Sequence, residues 1–172
     1  MDVMVTKLIE EEEVNRRIHE MAVEISRIYE GRELKLVGIL KGSIFFLSEL
    51  AKRITIPITL DFISVSSYGN RKESGESLTF GKDLDDPIEG QNVLLVEDIL
   101  DTGRTLSHVI ELLSRRNPES LEVVTLLDKP SRRINDVKLL MAGFTIPDRF
   151  VVGYGLDYAQ NYRNLPYIGV IE

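Results

Sequence analysis

The sequence predicts an α/β fold, a single domain with a central, mostly parallel sheet flanked by helices. Three observations predict it. Short apolar, β-branched runs recur along the chain, segments of helical length and periodicity lie between them, and carboxylates collect where one run ends. A chain of 172 residues buries roughly 70% of its unfolded surface, so residues 1–172 are expected to form one domain.

Val14, Ile18, Met21, Ala22, Ile25 and Ile28 share one face of an amphipathic helix that runs to about Tyr29, where Gly31 is a stop signal. Next come "LKLVGIL" (34–40), "ITLDFISV" (58–65), "NVLLV" (92–96), "LEVVTLL" (121–127) and "FVVGY" (150–154), all read as strands. Between the first two lies "SIFFLSELAKR". Between the third and fourth lies "RTLSHVIELLSRR", where Leu106, Val109, Ile110 and Leu113 fall on one helical face. Strands alternating with helices of this length form βαβ units. The stretch 66–87 is long, polar and rich in glycine, with at most a short hairpin around Leu78 to Phe80. Loops of this kind serve as lids or binding loops, and a mobile lid is the expectation.

The composition excludes several classes. The apolar fraction is 43%, and no uninterrupted apolar run approaches the roughly 18 residues of a membrane span. With 28 acidic against 21 basic residues the net charge is −7, which argues against an extended nucleic-acid-binding face and leaves room for a focused anion site. There is no cysteine, and the first residues lack the pattern of a secretory signal, so a cytoplasmic location is expected.

The chemistry concentrates in "VLLVEDILDTGRTL", Val93 to Leu106. In an open α/β sheet ligands bind beyond the carboxyl ends of the strands, and this strand delivers Glu97 and Asp98 to such an end. Carboxylates there suit a sugar diol or a hard cation. The turn "DTGRT" adds backbone N–H groups, two hydroxyls and a glycine at a helix start, which is an anion cradle by mechanism. Solvation and helix capping would account for Asp98, Asp101 and Thr102 singly. They do not account for three acids beside an anion site, which a magnesium-bound phosphoester of a sugar would satisfy. No P-loop sequence occurs, and "GYGLDY" fills the third glycine position of a dinucleotide fingerprint with Tyr158.

These fourteen residues resemble the phosphoribosyl pyrophosphate (PRPP) motif of type I phosphoribosyltransferases, in the form found in the hypoxanthine-guanine branch. "LKGS" (40–43), "SSYG" (66–69), "DKP" (128–130) and "DRFVVGYGLDYAQNYRNLPYIGV" (148–170) resemble the same family in order and spacing, so most of the chain is covered. The resemblance implies a type I phosphoribosyltransferase fold with a small hood and a mobile lid. It also implies a reaction in which PRPP and hypoxanthine or guanine, with xanthine left open, give IMP or GMP and pyrophosphate with Mg²⁺. A homodimer or homotetramer is implied as well.

Carried over by position, Glu97 and Asp98 hold the ribose hydroxyls and, with Asp157, associate with magnesium. Asp101, Thr102, Gly103, Arg104 and Thr105 wrap the 5′-phosphate, and Asp101 also faces purine N7 as the general base. Lys41, Gly42 and Arg163 meet the pyrophosphate, and the Leu40–Lys41 peptide can be cis in this family. Lys129 meets purine O6, where an ammonium, with three donors and no acceptor, favours an oxo over an amino group. Phe150 stacks on the base, the Val151 backbone meets its edge, and Ile99, Leu156 and Asp157 line the pocket. Ser67 and Tyr68 mark the lid tip. Read alone, Phe150 is a core residue at a strand start and Lys129 a surface lysine at a strand end. His19 and His108 fall on predicted helices and take no role. The competing readings are an RNA-binding regulator on the same fold, a xanthine- or guanine-preferring relative, and a phosphoacceptor signalling domain. The last requires an acid pair after the first core strand, and "LVGILKGS" has none.

Overall fold

The computed structural model describes residues 3–68 and 77–172. Strand β1 (Val5–Ile9) precedes helix α1 (Glu11–Ile28), whose first turn carries Glu11, Glu12 and Glu13, acids that complement the positive end of the helix dipole. Its buried stripe is Val14, Ile18, Met21, Ala22 and Ile25 as the periodicity requires, and the chain turns away at Gly31 with φ +77°. Two βα units and four further strands then build the main sheet. They are β2 (Leu34–Ile39), α2 (Ile44–Arg53), β3 (Ile58–Tyr68), β4 (Ser77–Lys82), β5 (Asn92–Leu100), α3 (Arg104–Ser114), β6 (Ser120–Asp128) and β7 (Met141–Thr145). The order in the six-stranded sheet is β4-β3-β2-β5-β6-β7, parallel except for the β3–β4 pair.

The topology fixes where a ligand belongs. From the adjacent strands β2 and β5 the chain leaves in opposite directions, β2 through α2 to β3 and β5 through α3 to β6. The two helices cover opposite faces. Phe46, Leu47 and Leu50 of α2 join the α1 stripe over Leu36, Leu94 and Val124, while Leu106, Val109 and Leu113 of α3 cover Val37, Leu95 and Val123. A crevice therefore opens at the carboxyl ends of β2 and β5, the switch point of the sheet.

Two short strands, β8 (Val151–Val152) and β9 (Ile168–Ile171), complete a separate antiparallel sheet of order β1-β9-β8. This sheet joins the first and last strands of the chain, with Val5 opposite Ile171, and contributes Ile168, Val170 and Val151 to the core on the α1 side. "FVVGY" is thus a strand only at Val151 and Val152, and it lies outside the parallel sheet where the alternation of elements placed it. Its partner β9 lies beyond a turn-rich connection, and that pairing has no local signature.

Two other expectations change. Strand β5 continues past Val96 to Leu100, because β6 extends alongside it and pairs Glu97 with Thr125 and Leu100 with Asp128. Glu97 and Asp98 are therefore strand residues, beyond the last β2–β5 pair at Gly38 and Val96. The stretch from Ser66 is no loop at its start, since β3 and β4 pair as an edge hairpin with Ser66 opposite Thr79 and Tyr68 opposite Ser77. The lid expectation concerns residues 69–76 and the side chains of Ser67 and Tyr68, which lie outside the described residues. Within the described residues, no helix is long and apolar enough to cross a membrane.

Candidate active site

The crevice is built by close approaches of backbone. After β2 the chain makes a cis peptide between Leu40 and Lys41 and passes Asp98 so closely that a Cβ on Gly42 would fall 1.9 Å from Asp98 Oδ2. From the other side Gly155, at φ +101°, lies against Gly42, and a Cβ there would fall 1.9 Å from the Gly42 carbonyl oxygen. Three segments far apart in sequence thus meet in one place. Arg163 fastens the third, with Nη1 donating to the Gly155 carbonyl at 2.6 Å and Nη2 lying 3.3 Å from Asp157 Oδ1. Gln160 Oε1 accepts from both Lys41 Nζ and Arg163 Nη2, at 3.3 and 3.2 Å. Tyr154, Ala159, Gln160 and Tyr162 hold left-handed backbone at φ 49°, 50°, 68° and 74°. Side-chain residues rarely adopt this conformation, and such strain concentrates at working sites.

Glu97 and Asp98 form an acid pair facing this junction. The Asp98 N–H donates to Glu97 Oε1 at 2.9 Å, and the Ile99 N–H donates to Asp98 Oδ1 at 2.6 Å. Burial pushes both carboxyls above their ordinary range, Glu97 well above it with the neighbouring Asp98 charge adding to the effect. The pair is thus costly to ionise alone and suited to a cation or to hydroxyl donors. Two adjacent oxygen-donor side chains fit a hard divalent ion. Asp157 accepts from the Gln160 N–H at 2.8 Å and pairs with Arg163, whose charge also acts on Asp98, and among the described residues no three acids or histidines gather as a ready ligand set.

The turn from Asp101 to Thr105 leads into α3. Gly103, at φ +82°, takes the N-cap position without a side-chain cap of its own; the Arg104 N–H donates to Thr102 Oγ1 at 3.4 Å, and a helix N-terminus of this kind favours an anion. A Cβ on Gly103 would lie 2.3 Å from the Asn135 carbonyl oxygen, so the turn is pressed against the segment after β6. That segment holds it firmly. The Ile134 and Asn135 N–H groups donate to the Thr102 carbonyl at 2.8 and 3.0 Å, and Arg133 Nε donates to the Asp101 carbonyl at 3.1 Å while its Nη2 pairs with Asp128.

Lys129 follows β6, tied by its N–H to the Leu100 carbonyl at 2.9 Å. It is only 6% exposed, and its ammonium has no hydrogen-bond or ion-pair partner among the described residues, so the expectation of a surface lysine fails. Phe150 is 54% exposed and stands edge-on to Tyr158, ring centroids 5.8 Å apart at 89°, so it is no core residue either. Val151 is buried, and Ile99 and Leu156 are partly buried against the core.

Sequence reasoning missed Arg132 and Arg133, Asn135, Gln160 and Tyr158. The signal for the arginines was present as a basic pair two residues after "DKP"; the others carry no pattern of their own. A cavity of about 650 Å³ lies at the opposite end of the sheet among Arg32, Lys35, Pro57 and Asn92, away from the switch point. A cavity of about 540 Å³ adjoins the cis peptide, lined by Leu40, Lys41, Phe45 and Gln160 to Asn164.

The chain matches the phosphoribosyl transferase domain family over residues 5–159. It is 47% identical over 165 residues to a hypoxanthine-guanine phosphoribosyltransferase of Bacillus subtilis, covering 96% of this chain and 92% of that one. It is 49% identical over 166 residues to a hypoxanthine phosphoribosyltransferase of Salmonella typhimurium, covering 95% and 93%. A solved hypoxanthine phosphoribosyltransferase of Staphylococcus aureus superposes with TM-score 0.93 at 48% identity, over 97% of this chain and 91% of that one. With a family match over residues 5–159 and relatives of this likeness over nearly its full length, the chain belongs to the phosphoribosyltransferase family, among the hypoxanthine-guanine phosphoribosyltransferases.

Proposed function

We propose that the protein transfers the 5-phosphoribosyl group of PRPP to N9 of hypoxanthine or guanine, giving IMP or GMP and releasing pyrophosphate. The observation that carries this reading is Lys129 beside the Asp101–Thr105 turn, its stem buried and its ammonium without a partner among the described residues, a base selector next to a phosphate cradle. The N–H groups at the start of α3, with Thr102, Gly103, Arg104 and Thr105, hold the 5′-phosphate. Glu97 and Asp98 hold the ribose hydroxyls. Lys41, the Gly42 backbone and Arg163 hold the pyrophosphate.

Bond breaking at the anomeric carbon builds positive charge on the ribose and negative charge on the leaving group. Mg²⁺, when bound near Glu97 and Asp98, supplies charge neutralisation for the pyrophosphate, and Asp157 is proposed as a further acid associated with it. Phe150 stacks on the purine with Tyr158 at its edge, and the Val151 backbone, Ile99 and Leu156 bound the pocket. Asp101 accepts the N7 proton as N9 forms its bond to the sugar. The lid carrying Ser67 and Tyr68 keeps water from the reactive ribose. The protein works in the cytoplasm as a homodimer or homotetramer, a stoichiometry that light scattering measures.

The test is a base panel. Purified protein with PRPP and Mg²⁺ is offered hypoxanthine, guanine, xanthine, adenine and uracil separately, with nucleotide and pyrophosphate both quantified. Turnover of hypoxanthine and guanine that is abolished by a chelator is the expected result, and the xanthine lane ranks the third oxopurine. Silence on every base, from folded protein that binds PRPP, would overturn the proposal in favour of a regulator that kept the cradle and lost the chemistry.

A further inference from the structure

Arg132 ends the short 3₁₀ turn Pro130–Arg132 that follows Lys129, and it stands between two carboxylates. Its Nε is 3.2 Å from Asp101 Oδ1 and its Nη1 is 3.7 Å from Asp148 Oδ1. The next residue, Arg133, reaches the other end of the same aspartate and donates to its backbone carbonyl at 3.1 Å. Consecutive arginines therefore grip Asp101, one by its carboxylate and one by its main chain.

The two grips differ in kind. Asp101 Oδ1 is shut off from solvent and receives no hydrogen bond from any described residue, although Arg132 is close enough to pair with it by charge. The contact restrains the carboxylate by Oδ1 and leaves the exposed side of the group, with Oδ2, unoccupied by any described residue. A general base needs that state, a placed acceptor whose acceptor site is still open. A guanidinium in full bidentate contact would have occupied it. The Arg132 and Asp101 side chains are 51% and 40% exposed, so the attraction is screened by solvent.

We propose that Arg132 is a positioning residue for Asp101 in the transfer step, with Asp148 as the anchor that fixes its guanidinium. The inference rests on the reading of Asp101 as the base. In the step itself the bond from C1′ to the pyrophosphate oxygen breaks and N9 bonds to C1′. The purine N7 proton passes to Asp101 Oδ2, the oxygen on the exposed side of the carboxylate, and the pyrophosphate leaves with the bonding electron pair. Arg132 touches no reacting atom. By holding Oδ1 it keeps Oδ2 where N7–H arrives, at the point where the segment carrying Lys129 meets the phosphate turn, so base recognition and proton acceptance share one support.

The experiment is a double-mutant cycle read by single-turnover kinetics with hypoxanthine at saturating PRPP. Arg132→Gln is expected to slow the chemical step about tenfold with the PRPP KM within about twofold, and Arg132→Lys to recover most of that loss. On an Asp101→Asn background Arg132→Gln should add nothing, because the residue through which it acts is gone. Asp148→Asn should reproduce part of the Arg132→Gln loss while the melting temperature stays within a degree or two of the parent. Full additivity of Arg132→Gln with Asp101→Asn, or a Gln variant as fast as the parent, overturns the proposal. An unimpaired Asp101→Asn single variant overturns the assignment of the base itself, an outcome distinguishable from the other two.

Discussion

Gly155 lies against Gly42 so tightly that a Cβ on the former would sit 1.9 Å from the carbonyl oxygen of the latter, while a Cβ on Gly42 would sit 1.9 Å from Asp98 Oδ2. The two glycines make one junction, but what blocks each is different. Gly155 meets backbone, at φ +101°, and backbone cannot step aside; Gly42 meets the end of a side chain, which can. Gly155→Ala is therefore expected to cost about 3 kcal/mol of folding stability through strain and overpacking. Gly42→Ala should fold with a much smaller loss but turn Asp98 out of place and raise the PRPP KM about tenfold or more. Thermal unfolding and initial-rate kinetics on the two variants separate these outcomes. Equal stability losses would mean that the junction is looser than described.

Asp101→Asn removes a base while keeping its shape. It should lower kcat by about 10²-fold or more with the PRPP KM changed only a few-fold, since general-base contributions run about 10²–10⁴. Loss of PRPP affinity in proportion to rate would contradict the role given to the side chain.

Lys129 is 6% exposed with no acceptor for its ammonium among the described residues, and the partner proposed for it is the purine oxo group. Lys129→Gln offers either a donor or an acceptor and should relax the discrimination against adenine, as the ratio of kcat/KM for hypoxanthine and adenine would report. An unchanged ratio would remove Lys129 from base selection.

Arg133 ties the Asp101 carbonyl to Asp128, with both charged side chains largely buried. Arg133→Ala leaves Asp128 without its cation and the turn without a brace. It should raise the PRPP KM about tenfold and lower stability by about 3 kcal/mol, the usual penalty for breaking one side of a buried pair.

Asp61, 3% exposed on β3, accepts from the Phe62 and Asp85 N–H groups at 2.7 and 2.9 Å and lies 3.5 Å from Lys82 Nζ. Burial works to raise its carboxyl, but the N–H donors and the Lys82 charge outweigh it and hold it below the ordinary range. A depressed folded-state value means stability present above the unfolded carboxyl range near pH 4 and lost as pH falls through the folded value. Asp61→Asn should cost about 2 kcal/mol at pH 7 and flatten that acid limb, measured by denaturant midpoints between pH 7 and pH 3.

The amino-acid sequence by itself determined the three helices, the central strands and the segment that holds the acids and the phosphate turn. Those signals are local: a stripe such as Val14 to Ile25, a β-branched run such as Asn92 to Val96, and a glycine that the turn into α3 requires. The resemblance to a family added the roles, because residues such as Lys129 and Phe150 read in isolation as a surface lysine and a core aromatic.

Only the tertiary structure decided the rest. It buried Lys129 and exposed Phe150, paired β1 with β9 across almost the whole chain, and paired Asp157 with Arg163. It also brought Gly42, Asp98 and Gly155 into one junction and set Arg132 and Arg133 on Asp101. The physical reason is common to all of them. Each depends on segments that approach only after the sheet has formed, and a contact between distant segments leaves no periodicity in either one for a sequence to display.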